Sequence, residues 1–367
     1  MTLPAMDLAA RARRVRDALD DNVDALLVSS LVHIRYLTGF TGSAALLLVA
    51  RDGALTFVTD GRYATQSAEQ LRAAGVEADI RVGTTAAAQR DAVQAAARGM
   101  AHIALEAGWV TWAQQRRYAS EWFPNAELVP TEDVVESLRR TKDDGEVARI
   151  EAAARIADDA LAALLPRLHD GPTEREFAME LDQEMRRRGA GGPSFETIVA
   201  SGPNGAKPHH RPSDRPVREG DGVVVDFGAI VDGYCSDMTR TVSVGEPRDR
   251  VLERMRAVVA EAQQAGVDAV APGTASADVD GACRRVIDAA GWADAFVHGT
   301  GHGVGLQIHE DPRVTSVSAA TLAAGDVVTV EPGVYLPDHG GVRIEDTVVV
   351  TAAGCRPLTT APKDFVI

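Results

Sequence analysis

The sequence predicts a two-domain α/β (α+β) protein, in which a small α/β domain is followed by a larger domain made of two similar helix-helix-sheet halves. The chain has 367 residues, which is more than one hydrophobic core usually organises. Its 45% hydrophobic and 25% charged residues are close to the averages of globular proteins, so both domains can bury a core. In the second part of the chain, two helical patterns precede a group of β-rich segments, and this order occurs twice.

The first domain is predicted over residues 1–131. From Met6 to about Leu19, Ala, Val and Leu alternate with Arg and Asp in a helical pattern. The segments ALLVSS, AALLLVA and LTFVTD then favour short buried strands separated by turns that contain glycine. A charged stretch, TEDVVESLRRTKDDGE, separates this unit from a long helix rich in Ala and Leu, so we predict the second domain over residues 132–367.

The second domain begins with a predicted helix from about Asp144 to Leu168. A second helix is opened by Thr173 with Glu176 three residues later, which is a capping-box pattern. The β-rich segments FETIVASG, VVVDFGAIV and YCSDMTRTVSV follow. Helices near 248–271 and 275–291 then precede the β-rich segments FVHGTG, VGLQIHE, VVTVEPGVYL and GVRIEDTVVV. We interpret this order as a duplicated α/β unit whose sheets join into one curved surface.

Charge and cysteine content exclude several classes of partner. The chain has 38 Lys and Arg against 53 Asp and Glu, a formal charge of -15, which argues against nucleic-acid binding. Its three scattered cysteines form neither a disulfide framework nor a Cys-x-x-Cys metal clip, which fits a reducing cytoplasm. The longest aliphatic run, 44–50, is too short to cross a bilayer. We therefore expect a cytoplasmic protein without nucleic-acid or membrane partners.

Acidic residues occur inside apolar strand segments of both halves, where an ionised carboxylate is costly unless a cation or several donors meet it. Asp226 lies in VVVDFGAI, and Asp237 can lie on a strand antiparallel to it, so their carboxylates would repel each other. If Asp237 instead paired with Arg240, Asp226 would remain unexplained. In the second half, Glu331 ends the apolar run of VVTVEPG, and Glu345 lies inside VRIEDTVVV.

Histidines are concentrated near these acids, since five of the nine lie between His209 and His309. Adding His302 of HGTGHGVG gives four carboxylates and one imidazole. This set suits hard or borderline divalent ions, such as manganese, cobalt, iron or zinc, and lacks the thiolates that softer ions prefer. Because four carboxylates carry more charge than one divalent ion neutralises, we predict two ions with bridging carboxylates, which together bind and activate a water.

Five strings, in this order and with these gaps, resemble the metal-site motifs of Xaa-Pro peptidases: VVVDFGA, GYCSDMTRTV, HGTGHGVGLQIHE, VEPGVY and GVRIEDT. These enzymes are the prolidases and aminopeptidase P of the creatinase/methionine aminopeptidase superfamily. The segments HIRYLTGFTGS and TDGRY resemble the N-terminal domain of the same enzymes, so nearly the whole chain is covered. The resemblance implies a creatinase/prolidase-like N-terminal domain, a pita-bread catalytic domain, a homodimer and two divalent metal ions, with manganese preferred over cobalt, zinc or iron.

The resemblance also implies a role for each site residue. Asp226 would be a terminal ligand of one metal, and Asp237 and Glu345 would bridge the two. His302 and Glu331 would be the remaining ligands of the other metal. The residues implied to contact substrate or to take part in catalysis are His209, His298, His309, Glu331 and Arg343.

Among these implied catalytic residues, Glu331 would accept the proton of the metal-bridging water and relay it to the leaving nitrogen. Either His298 or His309 would stabilise the tetrahedral centre. Arg343 lies two residues before Glu345 and so on the same strand face, where it resembles the family arginine near the substrate. A structural ion pair is the alternative role for Arg343. His210, the neighbour of His209, is left out of the site.

The predicted function is metal-dependent hydrolysis of the peptide bond between an N-terminal residue and proline, in dipeptides or short peptides. A bond before proline is a tertiary amide without an N–H, so peptidases that recognise that group handle it poorly. A non-enzymatic peptide- or protein-binding module on the same fold is the alternative. Methionine aminopeptidase activity ranks third, because the usual form of that enzyme lacks the N-terminal domain.

Overall fold

The computed structural model describes residues 3–364 and 366–367. The chain divides into two compact units. One comprises residues 6–139, and the other comprises residues 140–367 together with the described residues 3–5. The division falls inside the charged stretch from which the sequence predicted a boundary. Both units mix helices and strands, which confirms the predicted α/β class. Within the described part of the chain, no helix is both long enough and apolar enough to cross a membrane.

The N-terminal unit has one six-stranded sheet with the strand order β4-β3-β2-β1-β5-β6. Its core is formed by buried aliphatic residues of the central strands, including Leu27, Leu48 and Ile103. Gly39 ends the second helix with a φ of 73°, a left-handed conformation that favours glycine. The elements are α1 (Arg11–Ala18), β1 (Ala25–Val28), α2 (Leu31–Thr38), β2 (Ala45–Ala50), β3 (Leu55–Thr59), α3 (Ala64–Ala73), β4 (Asp79–Val82), α4 (Ala86–Ala96), β5 (His102–Glu106), α5 (Trp112–Arg117), β6 (Glu127–Thr131) and α6 (Val134–Arg140).

The first half of the larger unit places two helices against a three-stranded sheet with the order β11-β8-β7. The predicted capping box is confirmed, since the Thr173 side chain accepts from the Glu176 amide and Glu176 bonds back to Thr173. Phe177 and Leu181 pack on Val225 in a buried cluster. The elements are α7 (Asp144–Leu164), α8 (Glu174–Arg187), β7 (Ile198–Ser201), β8 (Gly222–Phe227), β9 (Ile230–Val231), β10 (Tyr234–Cys235) and β11 (Met238–Ser243).

The second half repeats this order, with two helices against a five-stranded sheet in the order β13-β12-β14-β17-β18. Val259 of the first helix and Ile287 of the second share a buried cluster with Val348 of the sheet. The elements are α9 (Arg250–Ala269), α10 (Ser276–Ala289), β12 (Gly301–Gly303), β13 (Glu310–Val314), β14 (Val327–Val330), β15 (Gly333–Leu336), β16 (Gly340–Arg343), β17 (Asp346–Thr351) and β18 (Gly354–Pro357).

The two halves are joined by hydrogen bonds between β11 and residues 343–345, at and just after the end of β16. The Glu345 amide donates to Thr239 O at 3.1 Å. The Thr241 hydroxyl donates to Arg343 O at 2.8 Å and accepts from the Arg343 amide at 3.0 Å. These bonds bring the acidic strand ends of the two halves together, as the predicted joining of the sheets requires.

Two segments that we expected to be β-rich are largely irregular. In FVHGTG and VGLQIHE, only Gly301 and Glu310 belong to strands, and 305–309 is a series of bends. At the short strand between these segments, the backbone packs closely in a way that the local pattern does not show. A Cβ on Gly301 would lie 2.0 Å from Thr329 O, and a Cβ on Gly303 would lie 2.3 Å from Asp311 O.

Candidate metal centre and substrate cleft

The five predicted metal ligands come from both halves and line one cleft of about 470 Å³. Asp226 is the second-last residue of β8, and Asp237 lies immediately before β11. Glu331 directly follows β14, and Glu345 directly precedes β17. His302 is the central residue of the short strand β12. Each acid therefore lies in or beside a buried strand whose hydrogen bonds determine where its side chain points.

Three of the carboxylates form the centre of the cluster. One oxygen each of Asp226, Asp237 and Glu345 lies within 4.8 Å of the other two. Asp237 is 4% exposed and Glu345 is 1% exposed. Asp226 Oδ1 and Glu345 Oε1 are buried and accept no hydrogen bond from any described residue. Buried carboxylate oxygens without donors are costly, so this group fits a cation-binding site.

The raised pKa values show that burial, together with the charges of neighbouring acids, disfavours the ionised carboxylates. Burial, together with the charges of Glu345 and Asp226, raises the pKa of Asp237 well above its usual range. Burial raises the pKa of Glu331 to about 8. Burial, with the charges of Glu331 and Asp226, raises the pKa of Glu345 well above its usual range. A bound cation would compensate all these effects at once.

His302 presents a lone pair to this cluster. Its Nδ1 lies 3.0 Å from Gly303 O, and because a carbonyl only accepts, Nδ1 carries the proton. Burial lowers the pKa of His302 to about 3, so the ring is neutral. Its Nε2 lies 3.5 Å from Asp237 Oδ2 and 3.4 Å from Glu331 Oε1. A lone pair that faces two carboxylates at this distance fits a metal ligand. Asp237 belongs to the cluster with Asp226 and Glu345 and also faces His302.

Arg343 is buried beside the cluster, at the wall of the cleft. Its Nη2 lies 2.5 Å from Asp226 Oδ2. Its Nε donates to Thr239 Oγ1 at 3.1 Å, and its Nη1 donates to the Tyr335 hydroxyl oxygen at 2.7 Å. The Thr239 hydroxyl in turn donates to Glu345 Oε2 at 2.7 Å. Arg343 therefore forms the ion pair that we weighed as its alternative role, while it also lines the cleft.

Both ring nitrogens of His298 are engaged. Nδ1 lies 2.8 Å from Gly299 O and therefore donates to it. Burial and the charge of Arg343 lower the pKa of His298 to about 4, so the ring is neutral and Nε2 accepts. Its donor is the Tyr335 hydroxyl at 2.8 Å. Tyr335 thus links His298 to Arg343.

The other predicted histidines line the same cleft. His209 and His309 are exposed there. The rings of His302 and His309 have centroids 4.3 Å apart and an interplanar angle of 70°. His309 hydrogen-bonds no residue in the described part of the chain, so its ring nitrogens are available to a substrate. His210, which we left out, bonds through Nε2 to the buried carboxylate of Glu174 at 2.8 Å.

Sequence reasoning missed three residues at this site. Tyr335 lies in VEPGVY and Thr239 lies in GYCSDMTRTV, but their hydroxyl contacts cross between strands. Arg313 follows the HGTGHGVGLQIHE segment by three residues and adds an exposed guanidinium to the cleft. The interpretation in which Asp237 pairs with Arg240 is wrong, because Arg240 pairs with Asp346 at 2.8 Å.

Comparison with known families gives two matches. Residues 148–352 match metallopeptidase family M24, and residues 11–141 match the creatinase/prolidase N-terminal domain. The matched M24 region contains all the predicted site residues.

Whole-length relatives are also similar. An uncharacterized peptidase, YqhT, of Bacillus subtilis is 42% identical over 345 residues, which cover 94% of this chain and 96% of that protein. An Xaa-Pro dipeptidase of Pyrococcus furiosus is 33% identical over 356 residues, which cover 97% of this chain and 99% of that protein.

Solved structures share the fold. The structure of an Xaa-Pro dipeptidase from Bacillus anthracis has a TM-score of 0.92 at 37% identity, with 97% of this chain and 99% of that chain covered. The structure of an X-Pro aminopeptidase from Thermotoga maritima has a TM-score of 0.89 at 34% identity, with 97% of this chain and 100% of that chain covered.

Proposed function

The chain belongs to metallopeptidase family M24, and on that basis we propose that it hydrolyses the peptide bond between an N-terminal residue and proline with two divalent metal ions. The observation that carries the proposal is the cluster of Asp226, Asp237 and Glu345 in one cleft. Asp226 Oδ1 and Glu345 Oε1 accept no hydrogen bond from a described residue, and Asp237 Oδ2 faces the His302 lone pair. The named relatives support the substrate class, since an Xaa-Pro dipeptidase matches over almost the whole of both chains.

The metal-binding residues fit this role by their chemistry. Asp226, Asp237 and Glu345 would hold the ions together with His302 and Glu331. A set of four carboxylates and one imidazole suits manganese, cobalt, zinc or iron, and we propose manganese. When bound, such ions lower the pKa of a water and polarise the carbonyl of the scissile bond.

Glu331 is the residue that we propose to move the proton. Its Oε1 lies 3.4 Å from His302 Nε2 and accepts a hydrogen bond from Thr329 Oγ1 at 3.3 Å. This contact holds the carboxylate at the wall of the cleft. Glu331 would accept the proton of the attacking water and deliver it to the leaving proline nitrogen.

His309 is assigned to the developing oxyanion, and His298 is not. Both nitrogens of His298 already bond to Gly299 O and the Tyr335 hydroxyl. His309 is exposed in the cleft, and its ring packs against that of His302. An imidazole N–H placed there can donate to the oxygen on which charge develops. His209, which is exposed in the same cleft, would contact the substrate.

We further propose that the protein is cytoplasmic and forms a homodimer. In the described part of the chain no disulfide bond joins Cys235, Cys283 or Cys355, which fits a reducing cytoplasm. The homodimer rests on the family resemblance, and the mass of the purified protein measured by light scattering tests it.

The deciding experiment measures free amino acid released from Ala-Pro, Ala-Pro-Ala and Met-Ala. The protein is first stripped with a chelator and then supplied with manganese, cobalt or zinc, and bound metal is quantified. Release from the Xaa-Pro peptides that depends on metal supports the proposal. Release from Met-Ala alone would favour the methionine aminopeptidase alternative. Peptide binding without hydrolysis and without bound metal would favour the binding module.

A further inference from the structure

An ion pair on α10 lies outside the proposed set of metal ligands. Asp280 is fully buried, and its Oδ2 lies 2.6 Å from Nε of Arg284, one helical turn later. An exposed pair at this spacing contributes little to stability. A fully buried carboxylate is different, because removing it from water costs several kcal/mol unless its oxygens are used. The contacts of Asp280 and Arg284 therefore need an explanation beyond helix stability.

These contacts hold the main chain of the irregular segment 296–300. Arg284 Nη2 donates to His298 O at 2.5 Å, and Nη1 donates to Phe296 O at 3.2 Å. Asp280 Oδ1 accepts from the Thr300 amide at 3.0 Å. The guanidinium also lies over the Phe296 ring, 4.3 Å from its centroid. One pair of side chains thus binds three backbone groups within five residues.

Two residues of this segment, His298 and Thr300, are hydrogen-bonded to residues of the proposed active site. The ring of His298 accepts from the Tyr335 hydroxyl, which accepts from Arg343. Two residues later, Thr300 O accepts from the Glu331 amide at 2.7 Å. No helix or strand includes residues 296–300. The side chains of Asp280 and Arg284 therefore hold this backbone in place of the hydrogen bonds of a helix or sheet.

We infer that Asp280 and Arg284 are positioning residues of the active site, which fix the segment 296–300 and thereby orient the His298 ring and the backbone of Glu331. The inference rests on the proposed peptidase function. Neither residue lines the cleft, so they act through the segment and not on the substrate. Loss of the pair should lower kcat, because misplacement of about 1 Å at an active site costs much of its rate.

The main test variant is Arg284→Lys, with Arg285→Lys as the matched control. Lysine keeps the charge, but a single ammonium cannot replace a planar guanidinium that donates to Asp280 and to two carbonyls. We expect kcat on Ala-Pro to fall about tenfold with little change in KM. Arg285 is the neighbouring arginine of the same helix with an exposed side chain, and its variant should match the wild type. Asp280→Asn is the second variant if Arg284→Lys does not fold.

A double-mutant cycle separates positioning from general stability. In a His298→Ala background, Arg284→Lys should lower kcat by much less than in the wild type, because the ring that it orients is gone. Equal and additive losses in the two backgrounds would overturn the inference. So would a wild-type kcat in both Arg284→Lys and Asp280→Asn.

Hydrogen exchange tests whether Asp280 and Arg284 hold this segment, and it needs no activity measurement. In the metal-free protein, peptides that contain the Thr300 and Glu331 amides should exchange faster in Arg284→Lys and Asp280→Asn than in the wild type or in Arg285→Lys. Unchanged exchange there would contradict the inference. If the wild type releases no amino acid from any Xaa-Pro peptide, the proposed function fails, and the exchange data still decide whether the segment is held by this pair.

Discussion

The amide nitrogen of Glu345 donates to the carbonyl oxygen of Thr239 at 3.1 Å, and the Thr239 hydroxyl donates to Glu345 Oε2 at 2.7 Å. Thr239 belongs to the first half of the larger unit and Glu345 to the second, so this double contact joins the halves at the acidic cluster. In the strand register, Thr239 is also the partner of Asp226. The candidate metal centre therefore requires both halves, and neither half contains it alone.

Replacing Asp237 by Asn should stabilise the metal-free protein and abolish its stabilisation by metal. Asp237 is buried, and its charge is opposed by Glu345 and Asp226. Without metal, Asp237→Asn removes this repulsion and should raise the free energy of unfolding by about 1 kcal/mol or more. With metal, the variant loses a proposed bridging ligand, and both activity and the stabilisation by manganese should disappear.

Thermal unfolding with a chelator and with manganese measures both effects of Asp237→Asn. The control is Asp338→Asn, which changes an exposed acid of the same unit. A variant that is less stable than the wild type in chelator, yet is stabilised by manganese to the same extent, would show that Asp237 is not a ligand.

Replacing Tyr335 by Phe should lower kcat with little change in KM. The change removes the hydroxyl that donates to His298 Nε2 and accepts from Arg343 Nη1. Two lost hydrogen bonds of about 1 kcal/mol each total about 2 kcal/mol, which corresponds to a kcat loss of about 30-fold. Steady-state kinetics on Ala-Pro check this expectation.

Tyr234→Phe is the matched control for that prediction. The Tyr234 hydroxyl is also buried and donates to Glu146 Oε1 at 2.9 Å. The Tyr335 hydroxyl instead contacts His298 and Arg343, which both line the cleft. Its loss should reduce stability and leave kcat unchanged. Equal kcat losses in the two variants would mean that Tyr335 acts only through the stability of the unit.

Arg313 should favour substrates with a free carboxylate after proline. Its exposed guanidinium lines the cleft, and after burial its charge is the next cause that lowers the pKa of the neighbouring His309. A dipeptide carries its carboxylate one residue beyond the scissile bond, where a cation can bind it. Arg313→Gln should raise KM for Ala-Pro about tenfold and leave Ala-Pro amide unaffected.

Arg211→Gln is the control, since Arg211 lines the same cleft but lies 3.4 Å from Glu196 as an exposed pair. The ratio of the kcat/KM values for Ala-Pro and Ala-Pro amide is the readout. If Arg313→Gln leaves that ratio at its wild-type value, carboxylate recognition lies elsewhere.

Much of the fold and of the acidic cluster can be predicted because the signals are local. A carboxylate within a β-branched run, as at Asp226 or Glu345, is costly to bury in its strand and therefore indicates a functional site. The Thr173 capping box is likewise complete within four residues. Whether these acids bind metal remains our proposal, but their convergence follows from strand order.

The missed features depend on contacts between distant residues. Tyr335 resembles an ordinary strand residue until Arg343 and His298 are placed around its hydroxyl. The close approach of Gly301 to Thr329 O is likewise revealed by no local pattern. Asp280 and Arg284 have the spacing of a surface ion pair, and only the fold buries the carboxylate.

Glu174 should make the protein sensitive to acid. Its buried carboxylate accepts from Ser201, Ser213 and Asn204, and it also contacts His210. Burial acts to raise the pKa of Glu174, but these hydrogen bonds outweigh it and lower the pKa to about 2, from 4.5 for a free carboxyl. Because the folded pKa is the lower one, the stabilisation is complete above pH 4.5 and is lost as the pH falls toward 2.

This pKa difference corresponds to about 3 kcal/mol at neutral pH as an upper value. Glu174→Gln should therefore cost most of that free energy of unfolding at pH 7, and the cost should shrink as the pH falls below the carboxyl pKa of the unfolded chain. Urea unfolding of the wild type, Glu174→Gln and the exposed control Glu219→Gln over this pH range measures it. A cost that is the same at every pH would mean that Glu174 contributes through packing rather than through its charge, because packing does not titrate.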